Sequence, residues 1–143
     1  MKSIKRFFAL ATAAGLLSAL VGCSPNVGLG GKVTFSDDGS PLTAGTVVFK
    51  QGSQISRARL QPDGTFVVGT MRNNDGLPPG SYMVYITGAE RELRPATETS
   101  DAVMESLIDP KFTRSETSEL SVEVTGSTRT FDIQVDRYVS RQR

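Results

Sequence analysis

A chain of 143 residues with one cysteine and no histidine can form no internal disulfide and has no imidazole to ligate zinc or activate a hydroxyl. Its 16 basic and 15 acidic residues are interspersed, which excludes the clustered positive footprint of a nucleic-acid binder.

Residues 1–22 form a separate unit. Lys2, Lys5 and Arg6 precede an uncharged apolar run from Phe7 to Val21, the layout of a secretory signal. At about 15 residues the run is shorter than the roughly 20 that a helix needs to cross a bilayer.

The run closes in Leu20-Val21-Gly22-Cys23, which resembles the lipobox of bacterial lipoproteins. That resemblance implies cleavage between Gly22 and Cys23, a diacylglyceryl group on the Cys23 thiol and acylation, typically by palmitate, of the freed amine. Several acyl chains anchor stably where one holds marginally. The plainer reading, an ordinary signal peptide with a free thiol, leaves an unpaired cysteine in an exported protein unexplained. Ser24 follows the cysteine where the inner-membrane retention signal of enteric bacteria has Asp, which points to the outer membrane. Removing residues 1–22 takes away three basic residues and no acidic one, leaving 121 residues with 13 basic and 15 acidic side chains, a net charge of −2. That length suits one domain.

Residues 23–31 are small, polar and glycine-rich, so a flexible tether is expected there, with the fold spanning 32–137 and a tail at 138–143. From Lys32 on, apolar residues recur at every second position in short runs bounded by Gly, Pro, Asp or Asn, the signature of strands. Val33 and Phe35, Val47 and Phe49, Ala58 and Leu60, and Phe66 and Val68 mark four inward-facing pairs, with Arg57 and Arg59 outward. Pro62-Asp63-Gly64 joins the third and fourth runs as a hairpin turn. After the turn cluster at 73–80, Tyr82, Val84 and Ile86 share a face while Met83 and Tyr85 occupy the other, as in a central strand partly covered by a loop. Residues 120–124 and 130–135 alternate most cleanly.

The polar connection between Gly88 and Glu119 is too long for a structureless loop in a compact domain. A short helix is predicted over residues 101–107, with Asp101 near its start and Pro110 beyond its end. The resulting fold is all-β: an antiparallel two-sheet sandwich of about seven strands with one short helix in a long connection.

Gly31-Lys32-Val33-Thr34-Phe35, Pro41-Leu42-Thr43-Ala44-Gly45-Thr46-Val47, Asp63-Gly64-Thr65-Phe66 and Pro79-Gly80-Ser81-Tyr82-Met83-Val84 resemble, in order, the carboxypeptidase regulatory-like domain with its transthyretin-like sandwich. Ile108-Asp109-Pro110-Lys111-Phe112-Thr113 and Thr117-Ser118-Glu119-Leu120-Ser121-Val122 resemble a lipoprotein branch of that group frequent in planctomycetes. The resemblance implies a non-catalytic accessory module more than a particular activity. One transthyretin-like group hydrolyses 5-hydroxyisourate with histidines and a C-terminal Tyr-Arg-Gly-Ser segment; this chain has no histidine and ends Tyr138-Val139-Ser140-Arg141-Gln142-Arg143. No enzymatic activity and no cofactor are expected.

Asp37, Asp38, Asp63 and Asp75 sit at turns where calcium could find oxygen ligands, yet each is explained by its glycine turn, so no metal site is assigned. Some related surface domains carry a Lys–Asn or Lys–Asp isopeptide crosslink, and Lys32 and Asp132 occupy suggestive places, but alternation turns both outward. Tyr85, Phe112 and Tyr138 lie off the main core pattern and are candidate ligand or partner contacts. The plainer reading packs Tyr85 under the long connection and uses Phe112 to pin that connection down. The tail arginines Arg137, Arg141 and Arg143 read as a frayed, solvated end. The expectation is a membrane-bound module, held by lipid on Cys23, that contacts an envelope protein through its loops or an exposed strand edge, with specificity expected in residues 89–118. A carbohydrate- or small-ligand-capturing lipoprotein supporting nutrient uptake is the rival.

Overall fold

The computed structural model of the protein describes residues 25–69 and 75–140. The signal segment with Gly22 and Cys23, Asn73 and Asn74 of the turn cluster, and Arg141 and Arg143 lie outside the described residues. The alternating runs form strands β1 (Gly30–Phe35), β2 (Thr46–Gln51), β3 (Gln54–Arg59), β4 (Thr65–Val67), β5 (Gly80–Thr87), β6 (Glu90–Arg94), β7 (Val103–Ser106), β8 (Leu120–Val124) and β9 (Ile133–Val135). Two sheets, ordered β4-β1-β9 and β3-β2-β5-β8, make a seven-stranded sandwich, while β6 and β7 pair only with each other.

Register explains which side chains form the core. Val47 and Phe49 of β2 stand opposite Ala58 and Ser56 of β3 and opposite Ile86 and Val84 of β5, and all six are buried. Val33, Phe35, Phe66, Ile133 and Val135 close the core from the facing sheet. The Phe49 ring joins the layers, with centroids 6.1 Å from Phe66, 6.5 Å from Tyr82 and 6.5 Å from Phe131. Burying each such side chain contributes about 1.5–3 kcal/mol. Val48 faces outward yet is also buried, between its cross-strand neighbours Arg57 and Tyr85.

The first four runs do not pair as two successive hairpins: β1 pairs with β4 and β2 with β3, which places β3 and β4 in different sheets, while the turn between them is still the one its residues require. The Asp63 carboxylate accepts from the Thr65 amide at 3.0 Å and from its hydroxyl at 2.6 Å. Gly64 has φ +80°, and a Cβ there would lie 2.7 Å from the Val33 carbonyl oxygen, so only glycine fits.

One pairing departs from the antiparallel expectation: β9 runs parallel to β1, with Val33 opposite Ile133 and Phe35 opposite Val135. β8 descends antiparallel to β5, and the chain then turns at 125–130 and crosses to the other sheet, so β9 must rise in the direction of β1. Gly31 permits this approach, because a Cβ at that position would collide with the Phe131 carbonyl.

Residues 101–107 are not helical; Val103–Ser106 is a strand paired with β6. A helix of two turns is marginal by itself in water, whereas pairing satisfies the same backbone groups and sets Glu105 against Arg91. Helical geometry occurs instead as a 3₁₀ turn, Pro110–Thr113, capped by the Asp109 carboxylate accepting from the Lys111 amide at 2.9 Å. Part of the segment expected as a flexible tether is packed. Val27 exchanges backbone hydrogen bonds of 2.7 and 2.9 Å with Leu77, Val27 and Leu29 are buried, and Gly30 and Gly31 belong to β1. Among the described residues packing therefore begins at Val27, continuing the alternation of Val33 and Phe35 backwards.

Candidate functional site

β5 ends at Thr87, and after Gly88 and Ala89 the chain leaves the sandwich as the β6–β7 ribbon. Buried Ala89 roots it, its carbonyl accepting from the Leu107 amide at 2.8 Å. From Glu90 to Met104 every residue is exposed, and it is only at the base of the ribbon that Glu90 and Ser106 meet the described fold, beside Pro110 and Thr113. Arg91 pairs with Glu105 across it, Nε donating at 2.7 Å. The register shifts between Glu92 and Arg94, so Leu93 is left opposite no partner residue. Leu93, Val103 and Met104 are 54%, 37% and 50% exposed. Val103 and Met104 are consecutive in β7 and therefore lie on opposite faces of the ribbon; apolar side chains left in solvent on a ribbon that has no core to cover are suited to contact with another surface.

The rest of the long connection is tied down. Phe112 is buried in the core, and the Lys111 ammonium lies 4.7 Å from its ring centroid while pairing with Asp136 at 2.6 Å. The Ser118 hydroxyl donates to the Val84 carbonyl of β5. Lys50, on the outer face of β2, reaches Ser115 at 3.4 Å and Glu116 at 3.7 Å. Beyond β9, Arg137 donates to Asp37, Asp38 and Ser40, each at 2.7–2.8 Å, and belongs to the fold rather than to a frayed tail.

The three aromatic candidates share no surface. Tyr85 stands half-buried on the outer face of β5 opposite Val48, Phe112 is inside, and Tyr138 is 40% exposed beside Asp109, Pro110 and Val139. Asp37 and Asp38 are engaged by Arg137 and Asp63 by Thr65, and among the described residues no group of carboxylates is placed to hold a metal ion. Lys32 and Asp132 do meet at the β1–β9 seam, the Lys32 backbone amide donating to the Asp132 carboxylate at 3.0 Å.

A second surface feature arises where β3 and β4 diverge into different sheets. Arg57 and Gly69 exchange 3.3 Å hydrogen bonds and the Gln61 amide donates to Thr65 at 2.8 Å, but Arg59 and Val67 between them join different sheets. The opening is a hollow of about 640 Å³ lined by Arg57, Arg59 and Val67. Charged side chains along an edge such as β3 also guard it against pairing with other chains.

Among the described residues no helix is long and apolar enough to cross a membrane. No family model matches the chain, and none of the curated proteins matches it. Among solved structures, a DUF3823 family protein from Bacteroides ovatus ATCC 8483 is similar over 80% of this chain and 46% of its own, at 18% identity and a TM-score of 0.44. BcpA*(D312A), the major pilin subunit of Bacillus cereus, is similar over 79% of this chain and 30% of its own, at 14% identity and a TM-score of 0.43. The chain thus spans less than half the length of either structure.

Proposed function

We propose that this chain is a lipid-anchored, non-catalytic envelope module of the carboxypeptidase regulatory-like type, which contacts another envelope protein through the β6–β7 ribbon. The observation that carries the reading is the ribbon itself. A two-stranded ribbon is at best marginally stable alone in water, and this one holds Leu93, Val103 and Met104 in solvent, where a partner surface would cover them. The basic start, apolar run and Leu20-Val21-Gly22-Cys23 sequence support export and attachment through Cys23, with Ser24 favouring the outer membrane. The rival reading of glycan or small-ligand capture rests on Tyr138 as its remaining exposed aromatic.

The test is covalent crosslinking in intact cells, affinity recovery of the tagged protein and mass spectrometry, alongside a Leu93→Ser/Met104→Ser double variant and a Cys23→Ser control. A recurrent envelope protein that is lost with either variant supports the proposal. Unchanged recovery with the double variant would remove the ribbon as the contact, and recovery of no protein from membrane-bound material would favour the rival.

A further inference from the structure

The topology fixes which end of the sandwich lies nearest the lipid. Cys23 is four residues before Val27, the first buried and paired residue among those described. An extended chain covers at most about 3.6 Å per residue, so the lipid-bearing cysteine lies within roughly 14 Å of Val27. Val27 sits at one end of the sandwich, where Pro25, Gly28, Pro79, Gly126 and Arg129 surround a common hollow. This is the end at which β1 and β5 begin and β8 finishes, since Gly80 pairs with Val124. None of the residues around that hollow is acidic, and Arg129 has no carboxylate partner among the described residues, so the hollow itself offers a cation and uncharged groups to a lipid headgroup surface, with Asp75 and Glu123 placed beside it.

β5 then runs eight residues from Gly80 to Thr87, about 24 Å at strand rise, and the ribbon is rooted beyond its far end. The exposure of every residue from Glu90 to Met104 shows that the ribbon does not fold back along the sandwich.

We infer that the domain stands end-on upon its membrane, with the Val27, Pro79 and Gly126 end against the headgroups and the β6–β7 ribbon held away from the bilayer. The ribbon's partner is then a domain in the aqueous compartment and not a membrane-embedded segment. This inference rests on the lipid anchor proposed above.

The experiment uses the full precursor, processed and lipidated in a bacterial host, then reconstituted in phosphatidylcholine–phosphatidylglycerol vesicles. Lipidation consumes Cys23, so a single introduced thiol can be labelled with an environment-sensitive fluorophore. Gly126→Cys marks the near end, where an added Cβ meets nothing within 4 Å, and Met104→Cys marks the ribbon. Flotation with vesicles comes first, and quenching by a headgroup nitroxide lipid follows. The expected result is flotation of both proteins with quenching several-fold stronger at 126 than at 104. Flotation with equal quenching, or stronger quenching at 104, would overturn the orientation alone. Failure of both proteins to float would remove the anchor, and the inference with it.

Discussion

The guanidinium of Arg137 lies 3.8 Å from the centroid of the Phe35 ring. From that position it reaches Asp37 at 2.8 Å and Asp38 at 2.8 Å. One side chain therefore closes the loop after β1 against the segment after β9, using its flat face on the aromatic ring and its edge on two carboxylates.

Replacing Arg137 tests that closure. Arg137→Lys keeps the charge but loses the planar fork, and Arg137→Ala loses both. Thermal unfolding followed by circular dichroism should show a midpoint lowered by a few degrees in the alanine variant and by less in the lysine variant. Equal midpoints for all three proteins would mean that solvent satisfies these groups as well as Arg137 does.

The acid limb of stability follows from the same loop. The hydroxyl and amide of Ser40, helped by Arg137, hold the Asp38 carboxyl at about 2 against an ordinary 3.8. The hydroxyl and amide of Thr65 lower Asp63, and Lys111 with Ser36 lowers Asp136. A carboxyl with a depressed folded-state pKa stabilises the fold above its unfolded value and loses that contribution as pH falls through the folded one. The thermal midpoint should therefore hold steady through neutral pH, with no histidine to titrate there, and fall as pH drops from 3.8 towards 2. Asp38→Asn should lower the neutral-pH midpoint and flatten part of the acid limb. An unchanged acid limb would place the titration elsewhere.

Phe112 and Tyr138 separate core from surface within the aromatic candidates. Phe112→Ala removes a buried ring and should cost about 3–5 kcal/mol in urea unfolding. Tyr138→Ala, at a residue 40% exposed, should cost much less. The reverse order would contradict the placement of Phe112 in the core.

Gly64→Ala combines a left-handed backbone with a Cβ 2.8 Å from that of Pro41. It should destabilise by more than about 2 kcal/mol, beyond the 1–2 kcal/mol of an unfavourable left-handed residue. Gly126→Ala, with open space around it, serves as the control and should leave urea unfolding unchanged.

Shortening the ribbon should not weaken the sandwich. Replacing residues 91–105 with a two-glycine turn removes side chains that are almost all exposed, so the thermal midpoint should stay within error of the parent. A clear fall would show that the ribbon contributes to folding.

The candidate site was only partly legible in the sequence. The connection at 89–118 is conspicuous for its length, but Leu93, Val103 and Met104 are scattered through charged residues, and their common exposure depends on a strand pairing across the eight residues between Arg94 and Val103. Phe112 and Tyr85 lie outside the main alternation for opposite reasons, one because it folds into the core and one because it faces away from it.

Local periodicity by itself determined the inward faces of β1 to β5, the turn at Pro62-Asp63-Gly64 and the sandwich class, because alternation and turn chemistry act between near neighbours. Only the tertiary structure decided the parallel seam of β1 with β9, the meeting of Arg137 with Phe35 and the strand at 103–106 where the sequence predicts a helix. Each of these joins segments distant in sequence or settles a choice between near-equal local conformations, and that choice is made by which partner strand is present.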